Sequence, residues 1–569
     1  LTSAQSETAD VIASGVHNDL LSRKNAKELT GVPGMAQKML QFDMLDAPSY
    51  FEELGTTAYG KLYKPLRQGF DVKIQDTRTA IEYMQETLNG IDTKEWSGEK
   101  SAMHVFHVSG GSITLTTAQV MSLYELSKRK QAMGHILGGG IKAAPIQRGW
   151  FNGKRLGLPH MESSTRPITL SADDVQAIVR SLTAEQRKVA DRIADFFKTT
   201  SRWGNEVSSQ MYGYSKFTEE NYFPIVSDKD YLTTMQGDLK KPDAILKNLG
   251  ITKSTVAGAN NPIVIEDIFD VFTRQVDQMS SYHAFVVPLA DLQKVLNFKV
   301  SGEGGKVQGS TKETLNRVFG RAGISYLNKL VEDINGMSRG LPPTLGDKLL
   351  SNMKAAAVGV NLRVVIQQPT AYVRAAAMVD PKYLAKGLAM KSDLETMNRY
   401  APISYWKDIG FFEMDTSRGM RDILLGMERL RDLTMKPAGW ADKITWGKLW
   451  NAVTAEIADT RSELKEGTEA FYKACGSRFS DIVDRTQVVD SVLHRSQLMR
   501  SKNFIDKTVT SFMSEPTKSY NLLRSAMRDV QNGGGAAARK RLARASMAFV
   551  VTSIATSAAY SLAIAASTE

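Results

Sequence analysis

Apolar residues recur every three or four positions over long stretches of this chain, the spacing that lines them along one face of an α-helix. Ile265, Ile268, Phe269, Phe272, Val276 and Met279 fall on one such stripe, and His283 extends it by a further turn. Val189, Ile193, Phe196 and Phe197 make a second, opened by Thr183 with Gln186 three residues on. That is capping-box spacing, in which each side chain bonds the other residue's backbone N–H. Trp446, Leu449, Trp450, Val453 and Ile457 make a third. Each stripe is expected to be a buried face rather than a ligand site. Strand-like runs are few, and the best are 104–115 (HVFHVSGGSITL) and 221–226 (NYFPIV), rich in β-branched or aromatic residues near Gly or Pro. The expected fold class is mainly α: elongated, multi-domain helical bundles with minor β elements.

Turn formers cluster at 138–140, 301–311, 340–343 and 532–535. They suggest an N-terminal helical region over 1–100, a small α+β or helical module over 101–226, and a helical domain over 227–310 with a flexible linker at its end. A C-terminal helical bundle over 311–531 and a basic linker with an apolar helix over 532–569 complete the division. One internal echo joins 113–117 (ITLTT) plus AQVMSLYEL to 168–171 (ITLS) plus ADDVQAIVRSL. Both show a short extended piece, a hydroxyl N-cap and an amphipathic helix.

The 569 residues exceed one ordinary core and suit about three or four packed units. Hydrophobic content of 42% and charged content of 23% lie in the globular range. The net charge of +11 favours anionic partners, nucleic acid or an acidic membrane surface, and says nothing about fold. A single cysteine, Cys475, excludes an intramolecular disulfide and a Cys-based zinc site, and it suits a reducing compartment. The chain starts at Leu1, and its first thirty residues lack the apolar core of a signal peptide. A boundary or a proteolytic cut would each account for that start.

Motifs whose spacing carries a mechanism are missing: no phosphate-cradling G-x-x-x-x-G-K-[ST], G-x-S-x-G elbow, H-E-x-x-H or EF-hand loop occurs. His104 and His107 form a pair that lacks a third metal ligand. Glu463 and Lys465, with Asp459 upstream, have the E-x-K form of some metal-dependent nucleases but lie in a helical pattern. His283 is expected at the edge of a core, hydrogen-bonded rather than catalytic. Cys475 has no base near it in sequence. No catalytic, metal-binding or cofactor-binding residue is assigned, no cofactor is expected and no small-molecule substrate is identified.

The C-terminus carries the most specific signal. From Ala545 to Thr568 no charged residue occurs over 24 positions, enough for a helix to span roughly 30 Å of hydrocarbon. Ala545, Phe549, Val550, Val551, Ile554, Tyr560, Leu562 and Ile564 are the candidate lipid-facing residues. Arg539, Lys540, Arg541 and Arg544 precede them as candidate contacts to phosphate or headgroups. The segment is rich in Ala and Ser, so a buried hairpin helix or an interface with another chain fits equally.

The strings 265–285 (IEDIFDVFTRQVDQMSSYHAF), 350–384 (LSNMKAAAVGVNLRVVIQQPTAYVRAAAMVDPKYL) and 512–530 (FMSEPTKSYNLLRSAMRDV) resemble the large polyvalent proteins of phages and prophages of Gram-positive gut-type bacteria. The strings 115–141 and 219–225 match less closely. The resemblance implies a very long gene product in which helical associated domains sit beside effector domains such as nucleases, helicases, methyltransferases or ADP-ribosyltransferases. Such proteins are packaged in the virion and delivered with the genome. With no effector motif, this chain is expected to be the scaffold-like, non-enzymatic part, an internal virion component in contact with phage DNA (non-specifically), a membrane, and other virion proteins or a second copy. Its expected location is the virion interior or host cytoplasm. The alternative is the scaffold part of an effector polyprotein with an unrecognised nuclease, lytic or toxin activity.

Overall fold

The computed structural model describes residues 3–22, 42–97, 101–144, 146–148, 160–162, 166–219, 222–225, 262–301, 307–336, 372–408, 416–426, 430–489, 491–500 and 514–568, some of them, including 430–442 and 555–568, by backbone alone. The chain is mainly α. It opens with α1 (Ser3–Leu21) and α2 (Ala47–Leu54), the latter capped by Asp46 with Pro48 in its first turn. A π-helical turn, Tyr59–Tyr63, leads into α3 (Lys64–Thr87).

Next comes a hairpin of β1 (Met103–Val108) and β2 (Gly111–Thr116), antiparallel with Met103 opposite Thr116, so 104–115 is extended as its β-branched content suggests. The hairpin feeds α4 (Thr117–Ser127), followed by α5 (Lys130–Gly139), β3 (Ile141–Ala143), α6 (Ala172–Arg180) and α7 (Ala184–Tyr212). Capping boxes close the N-termini of α4 (Thr116 with Gln119), α6 (Ser171 with Asp174) and α7 (Thr183 with Gln186). The two echoed modules meet in space. Ile141 bridges Ile168, and Asp174 accepts from the Ser109 N–H at the hairpin tip. Gly110 lies so close to Thr169 that a Cβ there would stand 2.4 Å from its carbonyl oxygen.

The centre of the fold is α8 (Ile268–Asn297), 30 residues long, packed against α1, α3 and α7. Ile268, Phe269, Phe272, Val276 and Met279 are all buried along it. Ile265, expected on the same stripe, belongs instead to a strand, Ile263–Ile265, which pairs in parallel with β3 and ends before the Asp267 N-cap. Pro288 sits within α8 and cannot supply the N–H that would pair with the Ala284 carbonyl. Gly69 of α3 packs against that carbonyl; a Cβ there would lie 2.2 Å from its oxygen.

After α8 come α9 (Thr311–Gly336), α10 (Pro381–Ala389), the short α11 (Leu394–Tyr400), α12 (Pro402–Asp408) and α13 (Thr416–Leu424), then α14 (Leu430–Thr460) and α15 (Glu469–Thr486). The chain closes with α16 (Ser514–Gln531) and α17 (Gly535–Thr568). Buried apolar residues from Ala13 to Leu493 join one connected cluster, to which the segments on either side of the turn clusters at 138–140, 301–311 and 340–343 contribute. A smaller cluster gathers Ala377, Leu522, Ala526 and Ala545.

Two local expectations need correction. Residues 222–225 of the expected 221–226 strand form no ladder: Pro224 lacks a donor, and Phe223 is buried while its carbonyl accepts from Arg129. The expected linker at 301–311 contributes strand at both ends, because Lys299–Ser301 pairs antiparallel with Val307–Ser310. The 340–343 cluster and the string 350–371 lie outside the described residues.

Candidate functional site

The turn at 532–535 reverses the chain through Gly533 and Gly535, both with positive φ, and so lays α17 against α16. The first half of α17 is docked. Ala538, Ala545 and Ala548 are buried, and Ala545 joins the cluster with Leu522 and Ala526. Three of the four basic candidates carry ion pairs within the chain. Arg541 bonds Asp529 and donates to Ser525 Oγ at 3.0 Å. Arg544 donates to Asp380 Oδ2 at 2.7 Å, with Lys540 3.8 Å from the same oxygen. Asp380 is also the N-cap of α10, accepting from the Lys382 N–H, and the Arg544 hydrogen bond holds its carboxyl below the usual carboxylate range. Arg539 is exposed, with no ion pair among the described residues.

Beyond this docked half the helix runs outward. Met547, Phe549, Val550, Val551 and Ile554 are 40–69% exposed, on several sides of the helix. Ala545, a candidate for lipid contact, faces the body instead. The side chains of Tyr560, Leu562 and Ile564 lie outside the described residues. Among the described residues no helix is long and apolar enough to cross a membrane.

The other fragments do not converge on a reaction centre. His104 and His107 are three apart on β1, which sends them to opposite faces, and His104 Nε2 lies 3.1 Å from Thr117 Oγ1. Asp459 pairs with Lys382 and Tyr383, whereas Glu463 pairs with Arg461 in the turn after α14. Cys475 is fully buried, and burial pushes its thiol up to about 12. No group of three or more His, Cys, Asp or Glu able to hold a metal occurs among the described residues.

Two polar assemblies are brought together by residues far apart in sequence. The first centres on Asp484 of α15. It accepts from Tyr63 Oη at 2.9 Å and from Arg67 Nε at 2.8 Å, and His494 Nε2 lies 2.7 Å away. Ser491 Oγ lies 2.6 Å from His494 Nδ1. A Ser–His–Asp chain results, but Ser491, His494 and Asp484 are all shut off from solvent, so no substrate reaches the hydroxyl. Burial would raise the Asp484 carboxyl, yet Arg67 and His494 hold it well below its ordinary value. Burial holds His494 below its ordinary value despite Asp484. This assembly is a structural tie between α3 and α15.

The second lies at the rim of an open cleft of about 270 Å³ between α3, α7 and α8. His283 of α8 bridges two other helices, Nδ1 to Asp76 Oδ2 at 2.8 Å and Nε2 to Glu206 Oε2 at 3.1 Å. The Trp203 ring lies parallel to the imidazole. Burial would lower the His283 pKa, but the hydrogen bond and charge of Asp76, with Glu206, raise it above its ordinary value. One turn back, buried Lys73 pairs with Asp277 at 2.7 Å and donates to Ser281. The cleft lining holds no Ser, Thr, Cys or Tyr to serve as nucleophile. His283 is therefore the hydrogen-bonded edge-of-core residue its place on the stripe suggests.

No family model, curated protein or solved structure matches the chain. Among the described residues, the fold is that of a mainly α protein whose last helix carries exposed apolar side chains from Met547 to Ile554.

Proposed function

We propose that the chain is a non-enzymatic structural or delivery protein, an internal virion component of the phage polyvalent type, which reaches a host membrane through α17 and DNA through its basic surface. The supporting observation is the change of character along α17. Its first half is fastened to the body by Arg541 and Arg544, and from Met547 the same helix continues with apolar side chains in solvent. A run of large apolar side chains this exposed needs lipid or protein around it. The exposed apolar turns from Met547 suit the surface layer of a bilayer rather than a crossing of it, and the basic turn before them suits its headgroups.

Liposome flotation of the full chain beside a chain ended at Ala548, which keeps the docked half, tests the membrane part. The full chain is expected to float and the shortened one to stay in the dense fraction; equal behaviour would remove the membrane from the proposal. For the DNA part, the logarithm of the binding constant should fall linearly with the logarithm of salt concentration, as counterions leave the phosphates. A flat salt response would exclude phosphate contacts.

A further inference from the structure

We propose that Asp380 and Asp529 are resident stand-ins for anionic phospholipid headgroups, holding Arg541, Arg544 and Lys540 until lipid phosphates take their place. This inference rests on the membrane reading of α17.

Arg544 follows Arg541 by three residues and Lys540 by four, so it shares a side of the helix with each of them. Each has its carboxylate already: Asp529 for Arg541, and Asp380 for both Arg544 and Lys540. The carboxylates remain in contact with water, Asp380 at 39% exposure and Asp529 at 33%. Arg541 and Arg544 are themselves 20% and 23% exposed, so each pair keeps an open side from which a competing anion can reach it. Displacement also leaves no orphaned group at Asp380, whose carboxylate keeps the Lys382 N–H as the N-cap of α10.

The occupant is chosen by what lies next along the helix. Met547, Phe549, Val550 and Val551 follow the basic turn directly and are exposed. Anionic phosphate beside an apolar layer is the chemistry of a bilayer surface. A DNA backbone offers the phosphates without the apolar neighbour.

Binding of the full chain to phosphatidylcholine vesicles and to vesicles that also contain phosphatidylserine separates the alternatives. Asp380→Asn keeps an N-cap oxygen and removes the competing charge. It should tighten binding to the phosphatidylserine vesicles about five-fold and leave phosphatidylcholine unchanged. Asp529→Asn should act in the same direction, and Arg544→Gln should weaken phosphatidylserine binding by a similar factor. If all three bind phosphatidylserine vesicles like the parent, the exchange is wrong while the membrane reading stands. If Asp380→Asn gains affinity for duplex DNA but not for vesicles, the stand-in belongs to nucleic acid and the lipid assignment falls. If the parent floats with neither vesicle, the membrane reading itself fails.

Discussion

Gly69 shows how one missing side chain sets the approach of two helices. Pro288 withdraws the N–H that the Ala284 carbonyl would use, and Gly69 brings α3 onto that oxygen. Gly69→Ala would put a methyl 2.2 Å from backbone that cannot yield without moving α8. It should cost about 1–3 kcal/mol, read as a lower denaturation midpoint. Gly60→Ala is the control: nothing lies within 4 Å of a Cβ there, so it should be neutral or slightly stabilising. At the same scale, the pKa values of His283 and His494 should shift in opposite directions. His283 is raised by Asp76 and Glu206 against the effect of burial, whereas His494 is lowered because burial outweighs Asp484. A folded pKa above the unfolded one means that His283 adds stability fully present below about pH 6.5 and lost as pH rises through its folded value. His494 has the reverse sign. Histidine-selective NMR should place the His283 midpoint above 6.5 and the His494 midpoint below it; a shared midpoint would refute the assignment. Neither behaviour was legible in the sequence. Asp76 and Glu206 stand 207 and 77 residues from His283, and only the packing of three helices unites them.

Whole elements were far more legible, because their causes are local. The 189–197 and 446–457 stripes are buried faces, and the Thr183 and Gln186 box closes α7 as its spacing requires. The errors came where two periodicities overlap or a donor is lacking. Ile265 fits the helical stripe and the strand alike, and only pairing with β3 decides for the strand. Pro224 left an extended segment without a ladder. Reciprocal capping gives a checkable magnitude. Thr183→Ala removes the oxygen that accepts from the Gln186 N–H, 3.2 Å away, and should cost about 1 kcal/mol. Thr183→Asn should restore most of it, since the amide oxygen can accept the same bond. Equal denaturation midpoints for Ala and Asn would mean the box contributes nothing to α7.

For the molecule as a whole, turn clusters divide the sequence, yet the buried apolar side chains from Ala13 to Leu493 connect across the divisions at 138–140, 301–311 and 340–343. The polar ties follow the same course. Asp484 joins α15 to Arg67 and Tyr63 of the N-terminal region, and Lys518 of α16 reaches Asp46 at the cap of α2. Such links pair residues more than four hundred positions apart, so no window along the sequence contains them. They imply that distant helices open together, and Cys475 can report whether they do. Its sulfur is buried in α15 and its thiol is pushed up to about 12, so an alkylating reagent meets a reactive thiolate only in an opened state. Gly69 lies on α3, in a different part of the sequence. If one core opens as a unit, Gly69→Ala should speed Cys475 alkylation by the factor its stability loss dictates, roughly 5- to 150-fold for a loss of about 1–3 kcal/mol. If α15 opens within an independent bundle, the variant should lower the midpoint of the α3 region while Cys475 reacts at the parent's rate. That second result would break the link between the connected core and cooperative unfolding.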